Sequence, residues 1–169
     1  MRARVGIAWW EHFSMPALTY LEMTHASDVV RGAGSGAAGV ELRRIEGSAV
    51  RALTLAVGRN FSWPSQTWTE AEWADYLADP QFVHFVGTVA GEDIGILSLN
   101  TRQFPEVEID SFGILPGLIG RGIGRAFLSE ALDTIWADCP KRIWLHTSSD
   151  DHPNALRNYL ARGFRIYEP

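Results

Sequence analysis

Hydrophobic and polar positions follow two different periods in the first half of the chain. Residues 40–45 alternate between apolar and polar side chains, which predicts a half-buried strand. Residues 47–60 repeat apolar side chains at helical spacing, and residues 69–78 form a second predicted helix. Thr69 and Glu72 have the spacing of a capping box, which favours a helix start at this point. The pattern therefore predicts a strand followed by two helices.

The middle of the chain predicts a hairpin, a third strand and a helix. Residues 82–90 and 93–100 have strand character on either side of Gly91, a typical hairpin signal. Residues 106–115 form the next predicted strand, which ends at a Pro-Gly turn. After Gly124, apolar residues recur on one helix face. Because the hairpin makes neighbouring strands antiparallel, a purely parallel sheet is excluded.

The C-terminal part repeats the alternation of strands and helices. Residues 141–147 predict a strand, residues 153–162 a helix, and residues 164–167 the beginning of a last strand. An additional extended segment, residues 18–24, precedes the others. The whole order predicts an α/β (α+β) fold, in which helices flank a mixed, mostly antiparallel central sheet.

Length and composition indicate one globular domain. The 169 residues are 46% hydrophobic and 21% charged, which is ordinary for a folded protein. We expect a core over about residues 40–167, with residues 1–39 as an N-terminal extension. The Gly- and Ala-rich run at residues 31–39 predicts a flexible connector.

Charge and cysteine content exclude several classes of function. The formal net charge of −5 offers no general basic surface, so no binding to nucleic acid is predicted. The single cysteine, Cys139, excludes an intrachain disulfide and a cysteine-built zinc site. No run of residues resembles a membrane span or a signal peptide, and we therefore expect a cytoplasmic protein.

A glycine-rich loop joins the predicted strand at 106–115 to the following helix. It contains the run Gly120-Arg121-Gly122-Ile123-Gly124, followed by Arg125. Glycines at a helix entrance let a phosphate approach the backbone amides, and the helix dipole favours negative charge there. Arg121 and Arg125 would add two cations. The loop lacks the Lys-Ser/Thr of a P-loop and does not have the spacing of a dinucleotide-binding fingerprint.

The loop resembles the pyrophosphate-binding motif of the GNAT superfamily of acyl-CoA-dependent N-acyltransferases. In that family Gln/Arg-x-x-Gly-x-Gly/Ala follows a strand, whereas this chain has Ile119 at the Gln/Arg position. The resemblance implies that acetyl-CoA is a co-substrate, and that its pyrophosphate binds residues 120–125. It also implies that the pantetheine arm lies along the strand end at Phe112, Gly113 and Ile114.

Two departures from the family accompany this resemblance, which covers residues 40–167. The family usually finishes with a further strand, but this chain has a short C-terminal end. It also has an extra N-terminal segment that contains the run Leu-Thr-Tyr-Leu-Glu-Met-Thr.

A second resemblance lies near the C-terminus, where Asn154 precedes a Tyr-x-x-x-Gly-Phe pattern that begins at Tyr159. It implies that Asn154 contacts the pantetheine arm, and that the Tyr159 hydroxyl protonates the departing thiolate. Taken alone, Tyr159 is more typical of a core aromatic residue, and Asn154 of a helix entry. The glycine loop upstream favours the catalytic interpretation.

Three carboxylates alternate along the strand at residues 106–115. Glu106, Glu108 and Asp110 are predicted to lie on one face. An alkylammonium has a pKa of about 10.4, so a proton must leave before the nitrogen attacks. Some family members carry a catalytic glutamate fourteen residues before the second loop glycine, which selects Glu108. Asp110 could share this work, and a solvated acidic edge is the alternative.

Other polar and aromatic clusters give weaker signals. His146, Asp150, Asp151 and His152 lack metal-ligand spacing, so we predict no metal and interpret Asp151 and His152 as helix-capping residues. Most of the tryptophans, Trp9 and Trp10 included, are more typical of a core or of a possible homodimer contact. Trp63 and Trp68, on a predicted loop, are the best candidates for a wall of the acceptor site.

The sequence thus predicts an N-acetyltransferase that moves an acetyl group directly from acetyl-CoA to a primary amine. The acceptor, a small molecule or a peptide or protein, is not identified. In this hypothesis Glu108, with Asp110, removes the amine proton and Tyr159 protonates the sulfur. The alternative is a non-catalytic acyl-CoA-binding regulatory module on the same fold.

Overall fold

The computed structural model describes residues 16–31 and 39–169. In chain order its regular elements are β1 (Leu18–Met23), β2 (Val40–Ile45), α1 (Ser48–Gly58), α2 (Glu70–Ala78), β3 (Phe82–Val89), β4 (Glu92–Asn100), β5 (Glu106–Ile114), α3 (Ile123–Ala137), β6 (Arg142–Ser148), α4 (Ala155–Ala161) and β7 (Arg165–Tyr167). The predicted α/β fold is therefore confirmed. Most of the predicted connector at 31–39, like Trp9 and Trp10, lies outside the described residues.

The strands form one sheet in the order β2-β3-β4-β5-β6-β1-β7. Only the β5–β6 pair is parallel, and the other neighbouring pairs are antiparallel. The predicted hairpin joins β3 to β4 through Ala90 and Gly91, which both have positive φ, as a tight turn between twisted strands requires. The sheet is therefore mixed and mostly antiparallel, as the sequence pattern indicates.

The two parallel strands separate after a short paired segment. β5 pairs with β6 only where residues 106–108 face residues 142–144. Beyond Glu108, β5 continues along β4 as far as Ile114, and β6 continues along β1 as far as Ser148. The carboxyl ends of β5 and β6 therefore diverge. Carboxyl ends of parallel strands are a preferred place for ligand sites in α/β proteins.

The N-terminal segment fills a position inside the sheet. β1 pairs with β6 along its whole length and with β7 around Tyr20 and Tyr167. A strand that followed β7 in a hairpin would pair antiparallel with it, and β1 takes that place. The extra N-terminal segment seen in the sequence is therefore a strand within the sheet.

Ion pairs and a close backbone contact hold this segment in place. Glu22 of β1 accepts hydrogen bonds from Arg142 of β6 and Arg165 of β7, at 2.8 Å and 3.0 Å. After β1, the backbone at Asp28 passes so close to Gly163 that a Cβ there would overlap the Asp28 carbonyl oxygen. Residues 18–30 are thus an integral part of the sheet and its packing.

Apolar side chains pack on both faces of the sheet. The larger cluster joins β-strand residues such as Leu97 and Ile143 to Phe127 and Leu128 of α3 and to Tyr159 of α4. The smaller cluster joins Val86 and Ile96 to Val50 and Val57 of α1. Helices α3 and α4 therefore cover one face, while α1 covers the other. Within residues 16–31 and 39–169, none of the helices has the length and hydrophobicity needed to cross a bilayer.

Helix starts agree with the sequence at α2 and differ at α4. Thr69 and Glu72 form the predicted capping box, in which each side chain bonds the backbone amide of the other. Helix α4 begins at Ala155 instead of the predicted residue 153, because Pro153 and Asn154 form a turn before it.

Candidate active site

The glycine-rich loop lies at the N-terminus of α3. Gly120 and Gly122 have φ angles of +87° and +77°, in the left-handed region that favours glycine. A Cβ at Gly120 would meet no heavy atom within 4 Å, so the space around the loop is open. Because the first amides of a helix have no partner within the helix, the amides after Gly122 are available to an anion. This geometry fits a phosphate.

A long cleft of about 1140 Å³ runs from this loop into the gap between β5 and β6. Small-molecule sites typically measure about 300–1,000 Å³, so the cleft has room for more than one ligand. Its walls come from the divergent end of β5, from residues 146–162 and from the loop after α1. The divergence of the two parallel strands therefore creates the site.

Most of the residues singled out in the sequence line this cleft. They are Asp110, Phe112, Gly113, Ile114, Gly120, Gly122, Gly124, Arg125, Asn154 and Tyr159. Three of the predicted residues, Glu108, Arg121 and Ile123, do not line it. Ile123 packs against the larger apolar cluster instead, and Arg121 is exposed. Asn154 precedes α4 as its N-cap residue, without a capping hydrogen bond from its side chain.

A β-bulge sets the position of Asp110. Ser98 of β4 faces Ser111, and Leu99 faces Ile109, so Asp110 is the extra residue on β5. Its Oδ2 accepts hydrogen bonds from the Tyr76 hydroxyl at 2.8 Å and the Ser111 hydroxyl at 3.0 Å. The carboxylate is therefore held at a fixed place on the cleft wall.

Glu108 lies beside Asp110, at the point where β5 and β6 separate. Its Oε2 accepts a hydrogen bond from the Asn100 amide at 3.0 Å, and its Oε1 is 3.9 Å from Nδ1 of His146. Burial, and secondly the negative charge of Asp110, raise the pKa of Glu108 above its ordinary value. A carboxylate with a raised pKa is a stronger proton acceptor, which suits a general base.

Tyr159 projects from α4 into the cleft and is only 8% exposed. Its ring packs edge-on against Phe112 and Phe164. Burial and the nearby Asp151 carboxylate raise the pKa of the Tyr159 hydroxyl, so this group stays protonated. A protonated hydroxyl in a dry part of a cleft can donate a proton to a leaving group.

Arg162 is a candidate that the sequence interpretation missed. It is 4% exposed, lines the cleft, and donates one hydrogen bond from Nη1 to the Val30 carbonyl at 3.2 Å. Its Nε has no hydrogen-bond partner among the described residues. Burial and the neighbouring Arg125 lower the pKa of Arg162. A buried guanidinium near a second one, without a carboxylate beside it, fits an anionic ligand.

Residues near the loop therefore fit a phosphate-bearing ligand in two respects. The glycine loop leaves open space and free amides, and the buried Nε of Arg162 has no hydrogen-bond partner in the part of the chain that the structure describes. In the sequence, only its position directly before Gly163-Phe164 could have indicated Arg162 as a site residue. Its burial could not be predicted, because it depends on contact with Val30, which is far away along the chain.

Aromatic side chains form the wall opposite α4. Trp68 packs edge-on against Tyr76, with ring centroids 4.9 Å apart. A Cβ at Gly113 would lie 3.4 Å from Cη2 of Trp63, so that indole lies over the end of β5. Phe61 and His152, from opposite walls, meet edge-on at 6.1 Å. Trp63 and Trp68 thus line the cleft.

The interpretation of Asp151 and His152 as helix-capping residues is wrong for Asp151. Its Oδ2 accepts hydrogen bonds from the Thr147 hydroxyl and the Ser148 amide, both at 2.8 Å, and so closes the turn after β6. His152 accepts a hydrogen bond from the amide of Asn154, ahead of the helix. Among the described residues there is no cluster of His, Cys, Asp and Glu that could hold a metal ion.

Comparison with known proteins shows the family. A family model described as "Acetyltransferase (GNAT) family" matches residues 50–164. An "uncharacterized N-acetyltransferase" of Mycobacterium bovis is 29% identical over 98 residues, which cover 58% of this chain and 62% of that protein. The match thus spans less than two thirds of that relative's length.

Solved structures with this fold include proteins of both known and unknown activity. A functionally unknown conserved protein of Staphylococcus epidermidis has a TM-score of 0.63 at 19% identity, over 90% of this chain and 58% of that one. An acetyltransferase of Bacillus subtilis, solved in complex with CoA, has a TM-score of 0.58 at 19% identity, over 76% and 77% of the two chains. At such identities the likeness shows the fold. Because the family model covers about two thirds of the chain, this protein belongs to the GNAT family of acetyltransferases.

Proposed function

We propose that this protein is an N-acetyltransferase that uses acetyl-CoA and a primary amine. The proposal is carried by one observation, namely that three functional groups line the same cleft. A loop suited to phosphate, a protonated tyrosine and a fixed carboxylate all line it. Membership of the GNAT family supports acyl transfer as the reaction class.

Donor binding is assigned to the loop and to the free end of β5. The amides after Gly122, with Arg125 and Arg162, hold the pyrophosphate. Among residues 16–31 and 39–169, no strand pairs with β5 on its β6 side beyond Glu108, so its backbone groups there can pair with the amides of the pantetheine arm. Bound in this way, acetyl-CoA supplies the acetyl group as a thioester next to Phe112 and Tyr159.

The transfer step requires two proton movements. A carboxylate on β5, directly or through a water molecule, takes a proton from the ammonium so that the nitrogen lone pair can attack. A bond forms between nitrogen and the acetyl carbon, and the bond between that carbon and sulfur breaks. Tyr159 gives its proton to the departing sulfur, and the second proton lost by the nitrogen restores it. The products are the acetamide, CoA as the thiol and one released proton.

Glu108 and Asp110 each have one of the two properties that we expect of the general base. Glu108 has the raised pKa, whereas Asp110 lines the cleft directly. We propose Glu108 as the base, because a raised pKa makes it the better proton acceptor, and we expect a water molecule to connect it to the amine.

Turnover with a panel of amines tests the proposal. Purified protein is incubated with acetyl-CoA and each amine, thiol release is followed with a chromogenic disulfide, and mass spectrometry identifies the acetylated amine. Thiol release that requires both protein and amine supports the enzyme. If CoA binds in calorimetry while no acceptor is acetylated, the non-catalytic acyl-CoA-binding module is the correct interpretation.

A further inference from the structure

The two ends of the cleft carry opposite charge. At the end formed by the glycine loop and α4, three arginines line the cleft, Arg125, Arg157 and Arg162. One carboxylate, that of Asp151, also lies near α4, and its Oδ2 accepts hydrogen bonds from Thr147 and Ser148. At the other end, between β5 and the loop after α1, the described lining residues include no lysine or arginine, and Asp110 supplies a carboxylate. An anion is therefore favoured at the first end and a cation at the second.

Asp110 has one oxygen available for such a cation. The Tyr76 and Ser111 hydroxyls both donate to Oδ2, while Oδ1 has no hydrogen-bond partner among the described residues. A carboxylate accepts hydrogen bonds and cannot donate them, so its natural complement is a group that carries several donors. An ammonium carries three donors and a positive charge, which makes the bond charge-assisted.

Aromatic surface lies directly beside this carboxylate. Tyr76, which holds Asp110 through its hydroxyl, packs against Trp68 with ring centroids 4.9 Å apart. Trp63 covers Gly113, three residues further along β5. Ring faces attract a cation and also bury an apolar body, so the wall suits a ligand that has both.

Two aromatic rings approach each other across the cleft. Phe61 follows α1 and His152 follows β6, and the two rings meet edge-on at 6.1 Å across the gap. A ring contact between opposite walls obstructs the entry of a folded protein surface, which favours a small acceptor.

We propose that the acceptor is a small arylalkylamine, an inference that rests on the proposed function. Its ammonium binds Oδ1 of Asp110, and its aromatic body packs against Trp63 and Trp68. The transfer step is as described above, with the ammonium proton passing through a water molecule to Glu108 and the acetyl group passing to nitrogen. Asp110 thus anchors the acceptor, and the two tryptophans determine its class.

The first test compares acceptors. Acetylation of tyramine, tryptamine and 2-phenylethylamine is measured against ethylamine, which lacks the ring, and spermidine, which carries additional charges. We expect kcat/KM to be at least about tenfold higher for the arylalkylamines, since burial of a ring in an apolar site discriminates by at least this factor. Equal or higher values for ethylamine or spermidine would overturn the inference.

Two variants test the residues. Asp110→Asn should raise KM for every amine by about tenfold or more, because it removes a charge-assisted hydrogen bond, and should lower kcat by a smaller factor. Asp75→Asn is the matched control, since Asp75 is exposed on the neighbouring helix and does not line the cleft. Trp68→Ala should lower kcat/KM for tryptamine at least about tenfold more than for ethylamine. Equal losses for the two amines would contradict the ring-binding role.

A binding measurement separates this inference from the proposed function. Calorimetric titration of tyramine into the protein saturated with CoA should show binding that weakens in Asp110→Asn and persists in Asp75→Asn. If only spermidine or peptides are acetylated, the proposed acceptor class is wrong, but the protein is still an acetyltransferase. If tyramine binds but no amine is acetylated, the proposed enzymatic function is wrong, whereas the amine-binding site is supported.

Discussion

Replacement of Gly163 by alanine tests how the N-terminal segment is held. Gly163 has a φ of +104°, and a Cβ at this position would overlap the Asp28 carbonyl oxygen and lie 2.9 Å from its carbonyl carbon. Since both obstacles are backbone atoms, the segment around residue 28 must move away. Two hydrogen bonds depend on its present position, from the Val30 amide to the Arg162 carbonyl and from Arg162 to the Val30 carbonyl.

The expected loss of stability follows from these contacts. A left-handed backbone costs a residue with a Cβ about 1–2 kcal/mol. Each of the two hydrogen bonds contributes about 1 kcal/mol net. We therefore expect Gly163→Ala to lower the free energy of unfolding by about 3–4 kcal/mol. Gly91→Ala is the matched control, because Gly91 has a φ of +83° and no heavy atom lies within 4 Å of its added Cβ. This control should lose only about 1–2 kcal/mol.

Urea denaturation followed by circular dichroism measures both variants. The difference between their unfolding free energies isolates the close approach of the two backbones, because both share the left-handed penalty. If Gly163→Ala and Gly91→Ala lose the same free energy, the packing of residues 28–30 against the end of α4 does not stabilise the protein, and the account of the N-terminal segment is wrong.

Three further predictions concern the site. Tyr159→Phe should slow turnover by about 10²–10⁴-fold with little change in unfolding free energy, and an unchanged rate would make Tyr159 a core residue only. Because burial and Asp110 raise the pKa of Glu108, the acid limb of kcat/KM should lie above the ordinary range of a glutamate, and Glu108→Gln should regain rate as pH rises. Asp110→Asn removes the neighbouring charge and should shift that limb to lower pH, and a limb that stays in place would show that the charge of Asp110 does not act on the base. Gly122→Asp should abolish CoA binding in calorimetry, whereas Gly117→Asp, outside the cleft, should bind normally.

The elements and much of the candidate site could be predicted from local patterns. The strand at Glu106–Ile114, the glycine loop and the helix after it appear in the sequence as alternation, three glycines and a helical face. Tyr159 is singled out by the resemblance of its surroundings to the family pattern that ends in Gly163-Phe164, and it does line the cleft. Such features depend on neighbours within a few residues, which is why the sequence alone determines them.

The bulge at Asp110 shows where local patterns become insufficient. Simple alternation places Glu108 and Asp110 on one face but does not reveal that Asp110 is an extra residue on β5, held by Tyr76. That position depends on the register with β4, and therefore on pairing between strands. Glu108, the residue selected from the family spacing, does not line the cleft.

Long-range pairing decided the remaining features. The sequence alone indicated that a strand-forming segment precedes β2. Only the tertiary structure inserted β1 between β6 and β7, where Tyr20 faces both His146 and Tyr167. The same contacts bury Arg162 against Val30, 132 residues away. Local periodicity reports which face of a segment is buried, but the partner that buries it is set by the packing of the whole chain.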